Sequence, residues 1–307
     1  MKAVVFAYHN VGYRCLSVLL AHGVNVPLVV THADSAAENI WFSSVAALAA
    51  SHGIAVVTPE DPNDEVFVQQ MAALQPDFLF SFYYRQMLKV PILELPRHGA
   101  LNMHGSLLPK YRGRTPVNWA ILKGERETGA TLHYMVEKPD AGDIVAQQAV
   151  PILPNDCAKE VFDKVTLAAE MALDRVLPSL MEGKAPRQAQ DSARGSYYGG
   201  RKPEDGRIDW SQSNVQVHNL VRAVAPPYPG AFTMAEGRKI HIYATRVVEN
   251  VRGSAQAPAL YCTDGSCYAQ CQDGGVLRVL AMEVDGVRYG EEEFARMETV
   301  SPTYFDT

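Results

Sequence analysis

Short apolar runs and helical periodicities alternate along the first half of the chain. Four continuous apolar runs have the length of strands that are covered on both faces: residues 2–7, 26–31, 54–57 and 78–82. Strands that alternate with helices build a parallel sheet through right-handed crossovers. In such a sheet, ligands bind beyond the carboxyl ends of the strands. The pattern therefore predicts an α/β fold with a Rossmann-like, mostly parallel sheet.

Helices are predicted between these runs because apolar residues recur there every three or four positions. Three sets mark the helical faces: Cys15 and Leu19 before Gly23; Trp41, Val45 and Leu48; and Phe67, Met71 and Leu74. Further along, residues 131–136 and 144–150 favour an antiparallel strand pair. A long helix is then predicted up to Gly183.

The composition changes between residues 185 and 205, where Pro, Arg, Gln, Ser and Gly dominate. We predict that this segment is a linker. It is followed by one short helix, at 215–224, and by several short strands with glycine turns, which is typical of a small antiparallel barrel. The sequence therefore predicts two domains, at 1–203 and 204–307.

A carboxamide and an imidazole follow the apolar run that starts at Ala100. Asn102 and His104 are two residues apart, so both side chains project from the same face of an extended segment. Gly105 and Pro109 end the strand and open a cleft. A lone His or Asn at a strand end usually has a structural role. Together, at an end where ligands bind, these two are candidate catalytic residues.

A helix is predicted to begin at Pro116, with Thr115 as its N-cap and Gly124 just past its end. Three basic residues lead into it: Lys110, Arg112 and Arg114. Because a helix N-terminus carries partial positive charge, this stretch favours a negatively charged ligand group.

The stretch N-M-H-G-S-L-L-P-K-Y-R-G-R-T-P, at residues 102–116, resembles the signature of the folate-dependent formyltransferases. That family also has an Asp in a D-x-G turn, found here at residues 140–143. The segments V-V-F-A-Y-H at 4–9 and F-S-F-Y-Y-R at 80–85 are similar to the members that formylate UDP-4-amino-4-deoxy-L-arabinose for lipid A modification and polymyxin resistance. The resemblance covers the whole chain and implies an OB-like second domain, without the dehydrogenase-decarboxylase half of the bifunctional enzyme.

The resemblance implies formyl transfer from 10-formyltetrahydrofolate, with Asn102, His104 and Asp140 as catalytic residues. An Asn amide can donate to the formyl oxygen as it becomes negative, and a His can carry protons near neutral pH. We expect Asp140 to raise the pKa of His104 and to fix its tautomer. The resemblance also implies folate contacts, those of residues 86–88 through the backbone. The side chains at these three positions differ from those of the compared member, a difference that backbone contacts tolerate. The folate-binding residues are Gln86, Met87, Leu88, Arg114, Val136, Glu137, Lys138, Pro139 and Asp140.

Among possible acceptors, the sequence favours a UDP-amino sugar, most specifically UDP-4-amino-4-deoxy-L-arabinose. A methionyl-tRNA formyltransferase is expected to have basic residues after the second strand, but residues 32–42 contain no Lys or Arg. Glycinamide ribonucleotide formyltransferases lack a second domain. Arg201, Lys202, Tyr197 and Tyr198 are candidates to contact the diphosphate and the uracil. Another dTDP- or UDP-amino sugar, formyltetrahydrofolate hydrolysis and a non-catalytic binding module remain alternatives.

Net charge, motif spacing and cysteine spacing disfavour several other kinds of protein and site. The net charge of −6 over 307 residues disfavours a nucleic-acid surface. The turn A-Y-H-N-V-G-Y after the first run has one glycine, so an NAD or FAD site of the G-x-G-x-x-G type is not expected. The five cysteines lack zinc spacing, so we expect no metal and free thiols. Because neither a signal peptide nor a membrane-length apolar run is found, we expect a cytoplasmic protein without membrane insertion.

Overall fold

A computed structural model describes residues 1–35, 38–296 and 300–306, and the chain forms two compact units. The first comprises Met1–Pro116, Glu127–Pro151 and Phe162–Gly199. The second comprises Val117–Arg126, Ile152–Val161 and Gly200–Thr307. Two short segments that precede residue 162 therefore belong to the second unit.

The secondary structure comprises strands and helices in both units. The strands are β1 Lys2–Ala7, β2 Asn25–Val30, β3 Ala55–Val57, β4 Phe78–Phe82, β5 Ala100–His104, β6 Arg112–Gly113, β7 Glu127–Tyr134, β8 Ile144–Pro151, β9 Tyr197–Tyr198, β10 Ala231–Ala235, β11 Arg238–Arg252, β12 Ala259–Thr263, β13 Ser266–Gln270, β14 Gly275–Val284, β15 Val287–Tyr289 and β16 Val300–Tyr304. The helices are α1 His9–Ala21, α2 Val45–Ser51, α3 Glu65–Ala73, α4 Val90–Leu93, α5 Pro116–Leu122, α6 Ala158–Met181, α7 Asn214–Ala223 and α8 Glu291–Phe294.

The first unit contains a seven-stranded sheet in the order β3-β2-β1-β4-β5-β7-β8. The five strands from β3 to β5 are parallel to their neighbours, whereas β7 and β8 are antiparallel. The predicted fold class, a Rossmann-like and mostly parallel sheet, is confirmed. The carboxyl ends of β1, β4 and β5 lie at the same edge, and β5 ends there with His104.

The centre of the sheet is apolar because β1 and β4 are covered on both faces. All five residues of β4 are buried. The rings of Phe78, Phe80 and Phe82 stack along it, with centroids 5.8 and 5.4 Å apart. Full burial of a phenylalanine side chain contributes roughly 1.5–3 kcal/mol, so these rings help to hold β4 in the centre of the sheet.

One predicted helical face is wrong at its first residue. Helix α2 begins at Val45, because the hydroxyl of Ser44 caps it by accepting from the Ala47 N–H at 3.1 Å. Trp41 therefore lies outside the helix. Its ring packs instead against His9 and Phe162, with centroid distances of 4.6 and 5.5 Å.

The segment predicted to be a linker is partly ordered into a small sheet. Strand β9, Tyr197–Tyr198, pairs in parallel with β6, Arg112–Gly113. Gly113 has a φ of +96°, and a Cβ on it would lie 2.2 Å from the Tyr198 carbonyl oxygen. Only glycine allows the two backbones to approach this closely.

The second unit contains an antiparallel sheet in the order β10-β11-β14-β13-β12-β16, with β15 added to β14. This half-barrel confirms the predicted antiparallel character of the second domain. The expectation of free thiols is wrong for two of the five cysteines. Cys262 and Cys267 face each other across β12 and β13 and form a disulfide. Cys15, Cys157 and Cys271 are free.

Candidate active site

The candidate site lies where β5 ends between β4 and β7. In the ladders, Asn102 pairs with Ser81 on one side and with His133 on the other. Asn102 is half-buried and His104 is buried. Their two-residue spacing on a strand places both side chains on the same face, as the sequence indicated.

The His104 ring contacts two polar groups. Its Nε2 lies 2.7 Å from the Tyr111 carbonyl oxygen. Because a carbonyl only accepts, Nε2 carries the proton and Nδ1 holds a lone pair in the neutral ring. Nδ1 faces Asp140, with 3.6 Å between Nδ1 and Oδ1.

Burial lowers the pKa of His104, although Asp140 and the Tyr111 carbonyl each act to raise it. The expectation that Asp140 acts to raise the pKa of His104 is confirmed, but desolvation of the buried ring outweighs the carboxylate, so the net shift of this pKa is downward. The neutral imidazole, which can accept a proton, is favoured at neutral pH.

Asp140 is held in place by backbone and side-chain contacts. Its Oδ2 accepts from the Gly113 N–H at 2.9 Å. Its backbone, at φ +54°, is fixed by Gln190, whose Nε2 donates to the carbonyls of Asp140 and Gly142 at 2.9 and 2.7 Å. Burial raises the pKa of this carboxyl, but His104, His133 and the Gly113 N–H outweigh burial and hold the pKa well below its usual range. Asp140 is therefore a carboxylate at neutral pH.

Two residues at this site were missed by the sequence reasoning. His133, on β7, lies 3.1 Å from Asn102 (Nε2 to Nδ2) and 3.6 Å from Asp140 (Nε2 to Oδ1). Gln190 lies in the segment that was predicted to be a linker. A His in the middle of a buried strand was the one available signal. Its alignment with Asn102 depends on the β5–β7 register.

The predicted folate residues that follow β4 have different exposures. Met87 is 61% exposed, Leu88 is buried and Gln86 is half-buried. The Gln86 side chain accepts from the Tyr84 hydroxyl and donates to the Glu60 carbonyl. The Met87 carbonyl accepts from Asn63 at 3.0 Å. Hydrogen bonds to Glu60 and Asn63 therefore hold this loop in place, while the Met87 side chain is exposed to solvent.

The other predicted folate residues lie in two loops. Arg114 is exposed, and its backbone N–H donates to the Tyr198 carbonyl at 3.0 Å. Val136, Glu137 and Lys138 are exposed, while Pro139 is half-buried next to Asp140. The loop 136–140 thus leads from solvent directly to the Asp140 carboxylate.

The helix that follows Arg114 begins at Pro116, as predicted, and has seven residues. Thr115 directly precedes it, and its φ of +50° differs from the extended backbone that is typical of an N-cap.

Neither a metal site nor a membrane span is found in the part of the chain that the structure describes. It contains no group of three or more His, Cys, Asp or Glu side chains that could hold a metal ion. None of its helices combines the length and the apolar character that crossing a membrane requires.

Two family models match most of the sequence. Residues 12–177 match the formyl transferase model, and residues 201–296 match the model of the formyl transferase C-terminal domain. The chain belongs to the formyl transferase family. This formyltransferase is therefore an enzyme, and it matches the models of both formyl transferase domains.

Solved structures share the fold of this formyltransferase. The N-formyltransferase from Helicobacter canadensis, in complex with folinic acid and dTDP-3-aminofucose, matches with a TM-score of 0.73 and 20% identity over 91% of this chain and 98% of that chain. WlaRD, a sugar 3N-formyltransferase with dTDP and 5-N-formyl-THF, gives 0.72 and 19% over 91% and 97%. Methionyl-tRNA formyltransferase from Clostridium thermocellum gives 0.58 and 13% over 92% and 98%. At these identities the similarity establishes the fold.

The site of this formyltransferase offers a defined set of chemical groups. They are a half-buried carboxamide, two buried imidazoles and an ionised carboxylate, within one small cluster. A carboxamide N–H can donate to an oxygen that becomes negative, and an imidazole beside a carboxylate can accept a proton. This combination suits acyl transfer to an amine without a metal ion.

Proposed function

We propose that this formyltransferase moves the formyl group of 10-formyltetrahydrofolate to the 4-amine of a UDP-amino sugar, most specifically UDP-4-amino-4-deoxy-L-arabinose. In this proposal, residues 1–203 are the catalytic domain and 204–307 the OB-like domain. The enzyme acts in the cytoplasm on small molecules, without nucleic acid and without membrane insertion, in lipid A modification and polymyxin resistance. The cluster of Asn102, His104 and Asp140 at the carboxyl end of β5 is the observation that carries the proposal.

Asn102 is proposed as the donor to the formyl oxygen. Removal of one such donor from a preorganised site typically costs about 10²–10³ in turnover. Its half-buried position at the strand end allows a substrate to reach the carboxamide.

His104 is proposed to accept the proton that the attacking amine loses. Its burial keeps the ring neutral before reaction, and the Tyr111 carbonyl keeps the first proton on Nε2. The incoming proton is therefore taken by Nδ1, where the Asp140 carboxylate stabilises the imidazolium. The same proton can then pass to the folate nitrogen that leaves.

The folate is proposed to lie along the exposed loops 86–88 and 136–140 and near Arg114. Both loops contain solvent-exposed residues, and the second ends at Asp140, which supports a folate position beside the catalytic cluster. The donor set of the cluster fits this cosubstrate, because its transferred group needs a hydrogen-bond donor and a proton carrier.

Arg201 supports a phosphate-bearing acceptor. Its guanidinium lies 5.0 Å from the centroid of the Trp119 ring, and one nitrogen donates to the Asp205 carbonyl at 2.7 Å. Within the described residues, its buried Nε has no hydrogen-bond partner. A buried guanidinium N–H without a partner suits a phosphate oxygen. We propose Arg201 and Lys202 for the diphosphate.

A dTDP-linked amino sugar is the second candidate acceptor. It is favoured by the two similar structures that contain dTDP-3-aminofucose or dTDP. A methionyl-tRNA acceptor is disfavoured by the absence of Lys and Arg from residues 32–42.

A competition assay tests the acceptor. Labelled 10-formyltetrahydrofolate is offered with UDP-4-amino-4-deoxy-L-arabinose, dTDP-3-aminofucose and charged initiator tRNA in one mixture, and formate release is measured without acceptor. We expect the label on the UDP-sugar. Label on tRNA would overturn the proposal, and rapid formate release without any labelled amine would instead indicate a hydrolase.

A further inference from the structure

His133 has contacts that tie two proposed catalytic residues together. It is 1% exposed, on β7, and stands directly opposite Asn102 in the β5–β7 ladder. Its Nε2 faces both Asn102 Nδ2, at 3.1 Å, and Asp140 Oδ1, at 3.6 Å. Neither the signature stretch at residues 102–116 nor the turn at 140–143 includes this residue.

The other ring nitrogen determines what Nε2 can do. His133 Nδ1 lies 2.8 Å from the Tyr134 carbonyl oxygen. Since a carbonyl cannot donate, Nδ1 carries the proton of the neutral ring, and Nε2 is an acceptor. Asn102 must then turn its amino group, rather than its oxygen, toward His133.

We propose that His133 is a positioning residue that sets the orientation of the Asn102 carboxamide. One N–H of Asn102 is donated to His133 Nε2, and the second N–H is thereby left for the formyl oxygen. The inference rests on the proposed role of Asn102 in formyl transfer. Without an acceptor at position 133, the carboxamide can flip and present its oxygen, which repels a negative formyl oxygen.

Two substitutions separate the contacts of His133. In His133→Asn, the shorter amide can still donate to the Tyr134 carbonyl but leaves no acceptor at the Nε2 position. In His133→Gln, an amide oxygen reaches that position and can accept from Asn102. We expect kcat to fall about 100-fold in His133→Asn, with the KM values for both substrates nearly unchanged. We expect His133→Gln to keep kcat within about threefold, because the acceptor for the Asn102 N–H is restored.

A double-mutant cycle and a direct probe decide between positioning and packing. If His133 acts through Asn102, the Asn102→Ala/His133→Asn enzyme should be no slower than Asn102→Ala alone. The side-chain NH₂ resonances of Asn102 should shift in His133→Asn. They should not shift in the control His218→Asn, which removes a buried imidazole that contacts Thr245 and the Pro154 carbonyl.

Three results would each overturn the inference. The first is wild-type turnover in His133→Asn. The second is a fall in the kcat of the double variant that equals the product of the falls in the two single variants, and the third is unshifted Asn102 resonances in His133→Asn. The side-chain resonances of Asn102 are measured without any acceptor present. A wrong acceptor assignment would therefore leave the test of His133 intact.

Discussion

The hydroxyl of Tyr83 occupies the place where a side chain on Gly105 would begin. A Cβ on Gly105 would lie 2.0 Å from the hydroxyl oxygen and 3.1 Å from the adjacent ring carbon. Tyr83 has a φ of +57° directly after β4, and Gly105 directly follows His104. The ends of β4 and β5 thus approach each other closely, and a side chain at position 105 would require the Tyr83 hydroxyl or the adjacent backbone to move.

Gly105→Ala should therefore displace either Tyr83 or the backbone beside His104. We expect kcat to fall about tenfold or more, because small displacements of reacting groups are costly. Gly199→Ala is the matched control, since a Cβ there meets nothing within 4 Å. Adding Tyr83→Phe should restore part of the rate by removing the hydroxyl. Wild-type kinetics in Gly105→Ala would show that the contact has no role.

Asn102→Ala and His104→Ala should each lower kcat at least about 100-fold. The affinity for folate should stay nearly unchanged, because both side chains act on the transferred group. Steady-state kinetics and a folate-binding titration measure the two quantities separately. Near-normal turnover in either variant would remove that residue from the mechanism.

Asp140→Asn should lower the whole pH-rate profile and move its acid limb to lower pH. The carboxylate acts to raise the pKa of His104 against the larger effect of burial, so its loss lowers that pKa further. The ring then stays neutral to lower pH, but its protonated form loses its counter-charge. A profile of unchanged position would contradict the tuning role.

His9 should make the first unit sensitive to acid. Burial among aromatic rings lowers the pKa of His9 to about 4, with a smaller contribution from Arg85. A free His titrates near pH 6.5. Between pH 6.5 and 4, His9 therefore binds a proton in the unfolded chain but not in the folded chain. The free energy of unfolding should thus be unaffected above pH 6.5 and should fall by about 3 kcal/mol as the pH drops toward 4.

Denaturant unfolding at several pH values measures this loss. His9→Asn, which tolerates the φ of +65° at this position, should reduce the slope between pH 6.5 and 4. His52→Asn, at an exposed position, should leave the slope as it is. An unchanged slope in His9→Asn would show that the loss comes from other groups.

Much of the first unit was predictable because its signals are local. The apolar run at 78–82 is strand β4 to the residue, since continuous apolar runs and flanking turns are visible in the chain itself. Trp41 was misassigned because its spacing to Val45 fits a helix, whereas the Ser44 cap starts the helix later. The pairing of residues 197–198 with 112–113 was not predictable, because it joins segments about 85 positions apart.

By itself, the sequence determined the fold class, the family and the two adjacent groups Asn102 and His104, because these follow from short-range patterns and a contiguous motif. Only the tertiary structure decided that His133 faces Asn102 and that Gln190 holds the Asp140 turn, since both contacts depend on strand register and loop packing. It also decided the net direction of the His104 pKa, because desolvation depends on the atoms that cover the ring and not on its neighbours in the chain.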